Sequence, residues 1–193
     1  MKIYLDTCTI NALTGLDNKE FDLLRSMLEK TNSRLYASHI QVDERYPKNN
    51  PDFEKKCEKA FRRFVEHGIE IKPEATKAAV YGISKYGLSK YSDKDIEKIR
   101  TELMVELEKC NKEKGNYPPI ENIIKDFLIA VTSADYDYFI TSDDCLYRSW
   151  RRILEKNETK DILGRASTIL YVRPVPTEIL NQMTRILESR SSM

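Results

Sequence analysis

The chain has 193 residues, with 32 Lys and Arg against 31 Asp and Glu, so its formal net charge is only +1. This length is enough for one domain with a single core, and the balanced charge excludes a protein that coats nucleic acid with its whole surface. No apolar run reaches the roughly 18 residues of a membrane span, and charges occur too early for a signal peptide. We therefore expect a cytoplasmic protein without membrane contacts.

The first part of the chain predicts alternating strands and helices. Short apolar runs predict strands at residues 2–5, followed by Asp6-Thr7, and at residues 34–38, closing in Ser38. Apolar residues at helical spacing, bounded by turn and cap residues, predict helices over residues 7–16, 20–30, 38–46 and 51–67. Gly68 is expected to end the last of these helices.

The second part continues the same alternation. A brief extended connector is predicted at residues 69–72, and Pro73 is expected to begin a helix that runs toward residue 86. A capping-box pattern at residues 92–95 precedes a charged helix that ends near Gly115. Further helices are predicted at residues 120–134 and 146–154, with strands at 138–141 and 168–173, where Pro174 and Pro176 close the pattern. This order predicts an α/β fold: a three-layer α/β/α sandwich with a central, mainly parallel, twisted sheet.

The sulfur and ring residues outside the acidic motifs suggest structural roles. Four cysteines occur singly, without the C-x-x-C pairs typical of zinc sites, which predicts buried, reduced thiols at positions 8, 57, 110 and 145. Trp150 lies on an apolar stripe and is predicted to be in the core. His39 and His67 are also interpreted as structural, because neither is part of a pattern that activates a nucleophile.

Four acidic residues lie at or near predicted strand ends, where open α/β sheets bind ligands. Asp6 directly follows the first strand, and Asp143 follows the strand that ends at Thr141. Glu44 comes after the second strand, and Asp126 is on the apolar helix before the third. Each has an ordinary alternative explanation as a helix cap, a turn former or a surface residue.

The combined pattern resembles the PIN-domain nucleases over nearly the whole chain. Three motifs carry the resemblance: the apolar strand ending in Asp6-Thr7, the Glu44 that lies six residues after Ser38, and the Asp126 helix that leads to a strand ending in Thr-x-Asp at residues 141–143. Cys8 departs from the pattern, because many members have Asn there. The long spacing before Asp126 predicts a helical insertion at residues 47–117 within a single domain of residues 1–193.

The resemblance implies a metal-dependent nuclease, most simply a single-strand-preferring endoribonuclease. Its catalytic residues would be Asp6, Glu44, Asp126 and Asp143, with Asp6, Asp126 and Asp143 binding metal. Clustered carboxylates repel one another unless cations neutralise them, and their hard oxygens favour Mg²⁺ or Mn²⁺. Supporting roles fall to Thr7, Thr141 and Asp144; Asp144 could share the role of Asp143, as Asp43 could that of Glu44.

A basic helix face follows the last acidic motif. Arg148, Arg151 and Arg152, together with Tyr147, are expected to face away from the apolar stripe of residues 146–154 and to bind phosphates and bases. The alternative is a solvated face that binds nothing.

Several alternatives for partners and function remain open at this point. The nuclease could be the toxin of a toxin–antitoxin pair, with an antitoxin chain or a second copy as its partner. It could instead be a catalytically weak or inactive PIN-fold binding module in an RNA-processing or regulatory complex. A phosphatase of the haloacid dehalogenase kind is less favoured, because it needs a second Asp where this chain has Cys8.

Overall fold

A computed structural model describes residues 1–38, 51–78, 94–164 and 166–191, except for the side chains of residues 51–58 and 190–191. A parallel sheet of five strands forms its centre. The strands are β1 (Lys2–Leu5), β2 (Arg34–Ser38), β3 (Ile71–Glu74), β4 (Tyr138–Thr141) and β5 (Thr168–Tyr171). Their order across the sheet is β3-β2-β1-β4-β5, and every pair is parallel. The prediction of an α/β fold with a parallel sheet is confirmed.

Eight helices surround this sheet in the described part of the chain. They are α1 (Thr7–Leu13), α2 (Asn18–Lys30), α3 (Pro51–Glu66), α4 (Lys94–Glu113), α5 (Ile120–Ser133), α6 (Asp144–Leu154), α7 (Asn157–Leu163) and α8 (Pro176–Ser191). A capping box of Asp17 and Glu20 begins α2. Gly68 has a φ of 68° just after α3, a left-handed conformation that glycine adopts at little cost.

The alternation of strand side chains divides the interior into two cores. Ile3, Leu5 and Leu35 point to the face covered by α1, α2, α3 and α8. Tyr4, Tyr36 and Phe139 point to the other face, which α4, α5, α6 and α7 cover. Because successive residues of a strand point to opposite sides, one sheet supports both cores. The predicted three-layer α/β/α arrangement is therefore present.

Strand β3 is the main difference from the predicted elements. Residues 71–74 pair with β2 instead of forming a connector, and Pro73 lies inside this strand instead of starting a helix. Proline lacks an N–H and is tolerated at the edge of a sheet, where β3 lies. The predicted insertion at residues 47–117 is therefore not purely helical, because it contributes a strand to the central sheet.

The end of the chain also differs from the prediction. Pro176 is the first residue of α8 and does not close the fold, consistent with the preference of proline for the first helical turn. Helix α8 buries Ile179, Met183 and Leu187, whose spacing of four residues predicts such a helix once Pro176 is treated as its start. The short helix α7 was likewise not predicted.

Other predictions have mixed outcomes. Trp150 is fully buried, as predicted, and His67 stacks on Phe21. Cys110 and Cys145 are buried, but the prediction for Cys8 is wrong because its side chain is exposed. Several predictions fall on parts of the chain outside the described residues. These are the side chain of Cys57, His39, the predicted helix at 38–46 beyond Ser38, residues 79–86 and the first half of the capping box at 92–95. Within the described ranges, no helix is both long and apolar enough to cross a membrane.

Candidate active site

The strand order places a topological switch point between β1 and β4. From β1 the chain first adds β2 and β3 on one side, and then returns to add β4 and β5 on the other. The connections leave in opposite directions at this point, which opens a crevice beyond the carboxyl ends of the two strands. Asp6 follows β1 and Asp143 follows β4, so both acidic residues lie at this crevice. The Asp6 N–H donates to the Ile140 carbonyl at 3.2 Å and fixes the two strand ends together.

Asp6 is buried and tightly held. Its side chain is only 2% exposed, and one carboxylate oxygen accepts the Thr9 N–H at 2.6 Å, which makes Asp6 the N-cap of α1. The other oxygen accepts the Thr141 hydroxyl and the Ser142 N–H. Asp6 thereby joins the start of α1 to the end of β4.

Asp143 contacts the same Thr141 hydroxyl through its backbone. The Asp143 N–H donates to Thr141 Oγ1 at 3.0 Å, and its carboxylate accepts the Leu146 N–H at 2.9 Å as the N-cap of α6. Thr141 therefore bonds both to the Asp6 carboxylate and to the Asp143 backbone. The predicted supporting position at Thr141 lies between the two acids.

Burial and a nearby like charge perturb the Asp6 carboxyl. Burial raises the pKa of Asp6 above its usual range, hydrogen bonds from Thr141 and Thr9 partly oppose this, and the nearby charge of Asp143 raises the pKa further. A cation between two such carboxylates would offset both their repulsion and the burial of Asp6.

The two carboxylates differ in their capacity to bind anything else. A carboxylate offers about four lone-pair positions, and Asp6 uses three of them for Thr9, Thr141 and Ser142. Among the described residues, Asp143 accepts one hydrogen bond, from Leu146. Asp6 is thus mainly an anchored charge, whereas Asp143 keeps more oxygen positions for a ligand.

Of the remaining predicted acids, the structure describes only Asp126. Asp126 is half-buried on α5, and Glu44, like Asp43, lies outside the described residues. In the described segments, no group of three or more His, Cys, Asp or Glu side chains is placed to hold a metal ion. Thr7 is the half-buried first residue of α1. The structure therefore brings together Asp6, Thr141 and Asp143.

Asp144 is bound to cations of the protein itself. Its carboxylate forms ion pairs with Lys114, just beyond α4, at 2.8 Å and with Arg148 at 2.9 Å. These partners, Lys114 most strongly, hold the pKa of Asp144 below its usual range. Asp144 therefore connects α6 to the end of α4.

Replacing Asp144 by Asn is expected to lower the free energy of unfolding by about 1 kcal/mol at pH 7, because partly exposed ion pairs contribute only this much. A lowered folded-state pKa gives stability that is present above the unfolded value of 3.8 and is lost as the pH falls through the folded-state pKa. Urea unfolding at pH 7 and pH 3 measures the effect, with Asp161→Asn on the exposed surface of α7 as control. If the difference in the free energy of unfolding between Asp144→Asn and the parent chain is the same at pH 7 and pH 3, the stabilising role of the Asp144 ion pairs is contradicted.

The predicted basic face is exposed but already engaged in ion pairs. Arg148 binds Asp144, Arg151 binds Glu155 at 3.1 Å, and Arg152 binds Glu106 on α4 at 2.8 Å. Each of the three arginine side chains is more than half exposed. Exposed pairs of this kind are weak, so a phosphate could replace the carboxylate partner at small cost.

Two residues of the crevice were not predicted from the sequence. The hydroxyls of Thr9 and Ser142 lie 3.2 Å apart, and Thr9 also donates to the Ile140 carbonyl. Thr9 lies three residues after Asp6, at the position whose backbone N–H commonly donates to an N-cap side chain. Ser142 is the middle residue of the Thr-x-Asp motif. Both positions could have been identified by extending the two motifs to their immediate neighbours.

Comparison of the chain with protein-family models, curated proteins and solved structures gave no match. The resemblance to the PIN-domain nucleases thus remains a prediction that depends on the residues themselves.

Proposed function

We propose that this protein is a nuclease that hydrolyses phosphodiester bonds of RNA with a divalent cation bound at Asp6 and Asp143. One observation carries the proposal: at the switch point of a parallel sheet, the Thr141 hydroxyl donates to the buried Asp6 carboxylate and accepts the backbone N–H of Asp143. Burial raises the pKa of the Asp6 carboxyl, and acids with perturbed pKa values are frequent at active sites.

The residues present suit Mg²⁺ or Mn²⁺. Their donors are hard carboxylate oxygens. Asp143 is the main ligand, because among the described residues only the Leu146 N–H donates to its carboxylate, and Asp6 is the second. We assign Asp126 to the same ion, directly or through water, and Glu44 to the protons of the attacking water. Such an ion, when bound, lowers the pKa of a water and offsets charge on the leaving oxygen.

The protein's own groups have definable tasks in this reaction. Thr141 keeps the Asp6 carboxylate in place by hydrogen bonding, and the capping bonds to α1 and α6 orient both acids. The N-termini of these two helices carry partial positive charge, which favours carboxylates and phosphates at the crevice. The tasks are positioning and charge stabilisation, which require no covalent intermediate.

RNA is proposed as the substrate because of the resemblance to the PIN-domain nucleases. The nuclease is proposed to be the toxin of a toxin–antitoxin pair, with an antitoxin chain or a second copy of this chain as its partner. A second candidate is the binding module without strong catalysis. The capping roles of Asp6 and Asp143 favour it, because they give both acids a structural function that is independent of any reaction.

The test is a cleavage assay of the full chain on single-stranded RNA with Mg²⁺, with Mn²⁺ and with a chelator. Cleavage is expected with either ion and not with the chelator. Asp143→Asn should lower the rate by about 100-fold or more, because metal sites lose that much with their ligands. Asp161→Asn removes an equal charge from α7 and should cleave like the parent chain. Equal cleavage by Asp143→Asn, or cleavage insensitive to the chelator, would overturn the proposal.

A further inference from the structure

A polar groove lies beside the edge strand β5, where the chain turns into α8. It has a volume of about 620 Å³. Its lining includes Tyr171, Arg173, Glu178, Asn181, Gln182 and Arg185. We refer to it as the β5–α8 groove. None of these residues belongs to the proposed metal site, and the sequence motifs assign them no role.

The groove begins one strand away from the acidic pair. Tyr171 is the register partner of Thr141, and the N–H of Val172 donates to the Thr141 carbonyl at 3.0 Å. Neighbouring strands are about 4.8 Å apart. The residue that holds Asp6 is therefore adjacent to the strand that forms the rim of the groove, so one extended ligand can reach both.

The charges in the groove suit an anion. Arg173 and Arg185 face a single acidic residue, Glu178. The Arg173–Glu178 pair is long, at 3.9 Å, and its side chains are 74% and 46% exposed, so it contributes little and leaves the guanidinium available. An arginine guanidinium can donate two parallel hydrogen bonds to a phosphate group. The side-chain amides of Asn181 and Gln182 add further hydrogen-bond donors and acceptors.

An aromatic surface adjoins these charges. Tyr171 is 39% exposed, and its ring centre lies 5.7 Å from that of Tyr147 on α6. The Tyr147 hydroxyl accepts a hydrogen bond from Arg151 at 3.1 Å. Aromatic rings beside arginines are typical of surfaces that bind single strands, because only an unpaired base can stack on a side chain.

We propose that the β5–α8 groove binds the segment of single-stranded nucleic acid next to the bond that is cleaved. A base stacks on Tyr171, and the backbone phosphates contact Arg173 and Arg185. This inference rests on the proposed function, since it supplies the substrate path of the same site. It also gives a physical reason for a single-strand preference, because a paired base has no face free for Tyr171.

The test measures the affinity of a labelled ten-nucleotide RNA in an Asp143→Asn background, which prevents cleavage during the measurement. Tyr171→Ala is expected to weaken binding about tenfold. Tyr171→Phe keeps the ring and should restore most of the affinity. The double variant Arg173→Ala, Arg185→Ala should also weaken binding. The slope of log Kd against the logarithm of the salt concentration should fall by about 1.4, because two phosphate contacts are lost.

Arg34→Ala is the matched control. Arg34 is an exposed arginine at the amino end of β2, three strands away from β5, and the Arg34→Ala variant should bind RNA like the background protein. A dinucleotide, which is too short to occupy the groove fully, should show a smaller loss than the ten-nucleotide strand. Thermal unfolding followed by circular dichroism verifies that each variant is folded.

The outcomes separate this inference from the proposed function. Equal affinities in all groove variants, while the parent chain cleaves RNA, would overturn the groove and leave the nuclease standing. Tighter binding of a duplex than of the single strand would overturn the stacking role of Tyr171. Absence of both binding and cleavage by the parent chain would overturn both proposals.

Discussion

Asp6→Asn is expected to abolish the stabilisation of the fold by divalent cations. In the parent chain, Mg²⁺ at about 100 times its Kd should raise the free energy of unfolding by about 2.7 kcal/mol. For a chain of this size that corresponds to a rise in Tm of about 5–10 °C. The effect depends on Asp6 because the substitution removes the buried charge that the cation would offset. Thermal unfolding with increasing Mg²⁺ or Mn²⁺ measures it without any activity assay.

The controls for this experiment distinguish the site from general ion effects. Asp161→Asn, on the exposed surface of α7, should keep the full shift in Tm. A monovalent salt at equal ionic strength shows how much of the shift is screening. The same rise in Tm for Asp6→Asn and the parent chain would show that the stabilising cations do not bind at Asp6.

Trp150→Ala is expected to cause the largest loss of stability. Trp150 is fully buried in the core between the sheet and α4 to α7. Truncating a buried tryptophan costs about 3–5 kcal/mol, because it removes buried apolar area and leaves a cavity. The Tm should fall by about 6–20 °C. Because Trp150 is the single tryptophan of the chain, unfolding must be followed by circular dichroism and not by tryptophan fluorescence.

Two further variants define the source of this loss. Tyr117→Ala removes a ring that is 79% exposed, and should change the free energy of unfolding by no more than about 0.5 kcal/mol. Trp150→Phe keeps most of the apolar volume and removes an indole N–H that has no hydrogen-bond partner among the described residues, so it should cost less than Trp150→Ala. Equal losses for Trp150→Ala and Tyr117→Ala would contradict the role of this core.

The sequence predicts the central strands well, for a physical reason. β1, β2 and β4 are buried on both faces and are therefore short apolar runs, which are easy to recognise. β3 is at the edge and consists of Ile71, Lys72, Pro73 and Glu74, so it has neither the apolar run nor the alternation of a strand. Its assignment depends on pairing with β2, which is a tertiary contact that the local sequence does not contain.

The acidic site was predictable to a similar degree. The closeness of Asp6 and Asp143 follows from two adjacent parallel strands, each with an acid at its carboxyl end. The ion pair of Asp144 with Lys114 was not predictable, because it joins the start of α6 to the residue after α4, 30 positions away, and the sequence does not specify how these two helices pack. Exposure of Cys8 was missed for a related reason, since the second residue of α1 faces away from the core that Ile10 and Leu13 enter.

The capping bonds of Asp6 and Asp143 have a consequence for how this protein can diverge. Serine, threonine and asparagine also cap helices well, so a descendant that no longer needs a cation could exchange either acid for one of them and keep α1 and α6 intact. A descendant under selection for hydrolysis must keep both carboxylates, since the neutral caps carry no charge to bind a divalent ion. Under the proposed function, the residue types at positions 6 and 143 would therefore distinguish relatives that hydrolyse the substrate from relatives that keep only the fold.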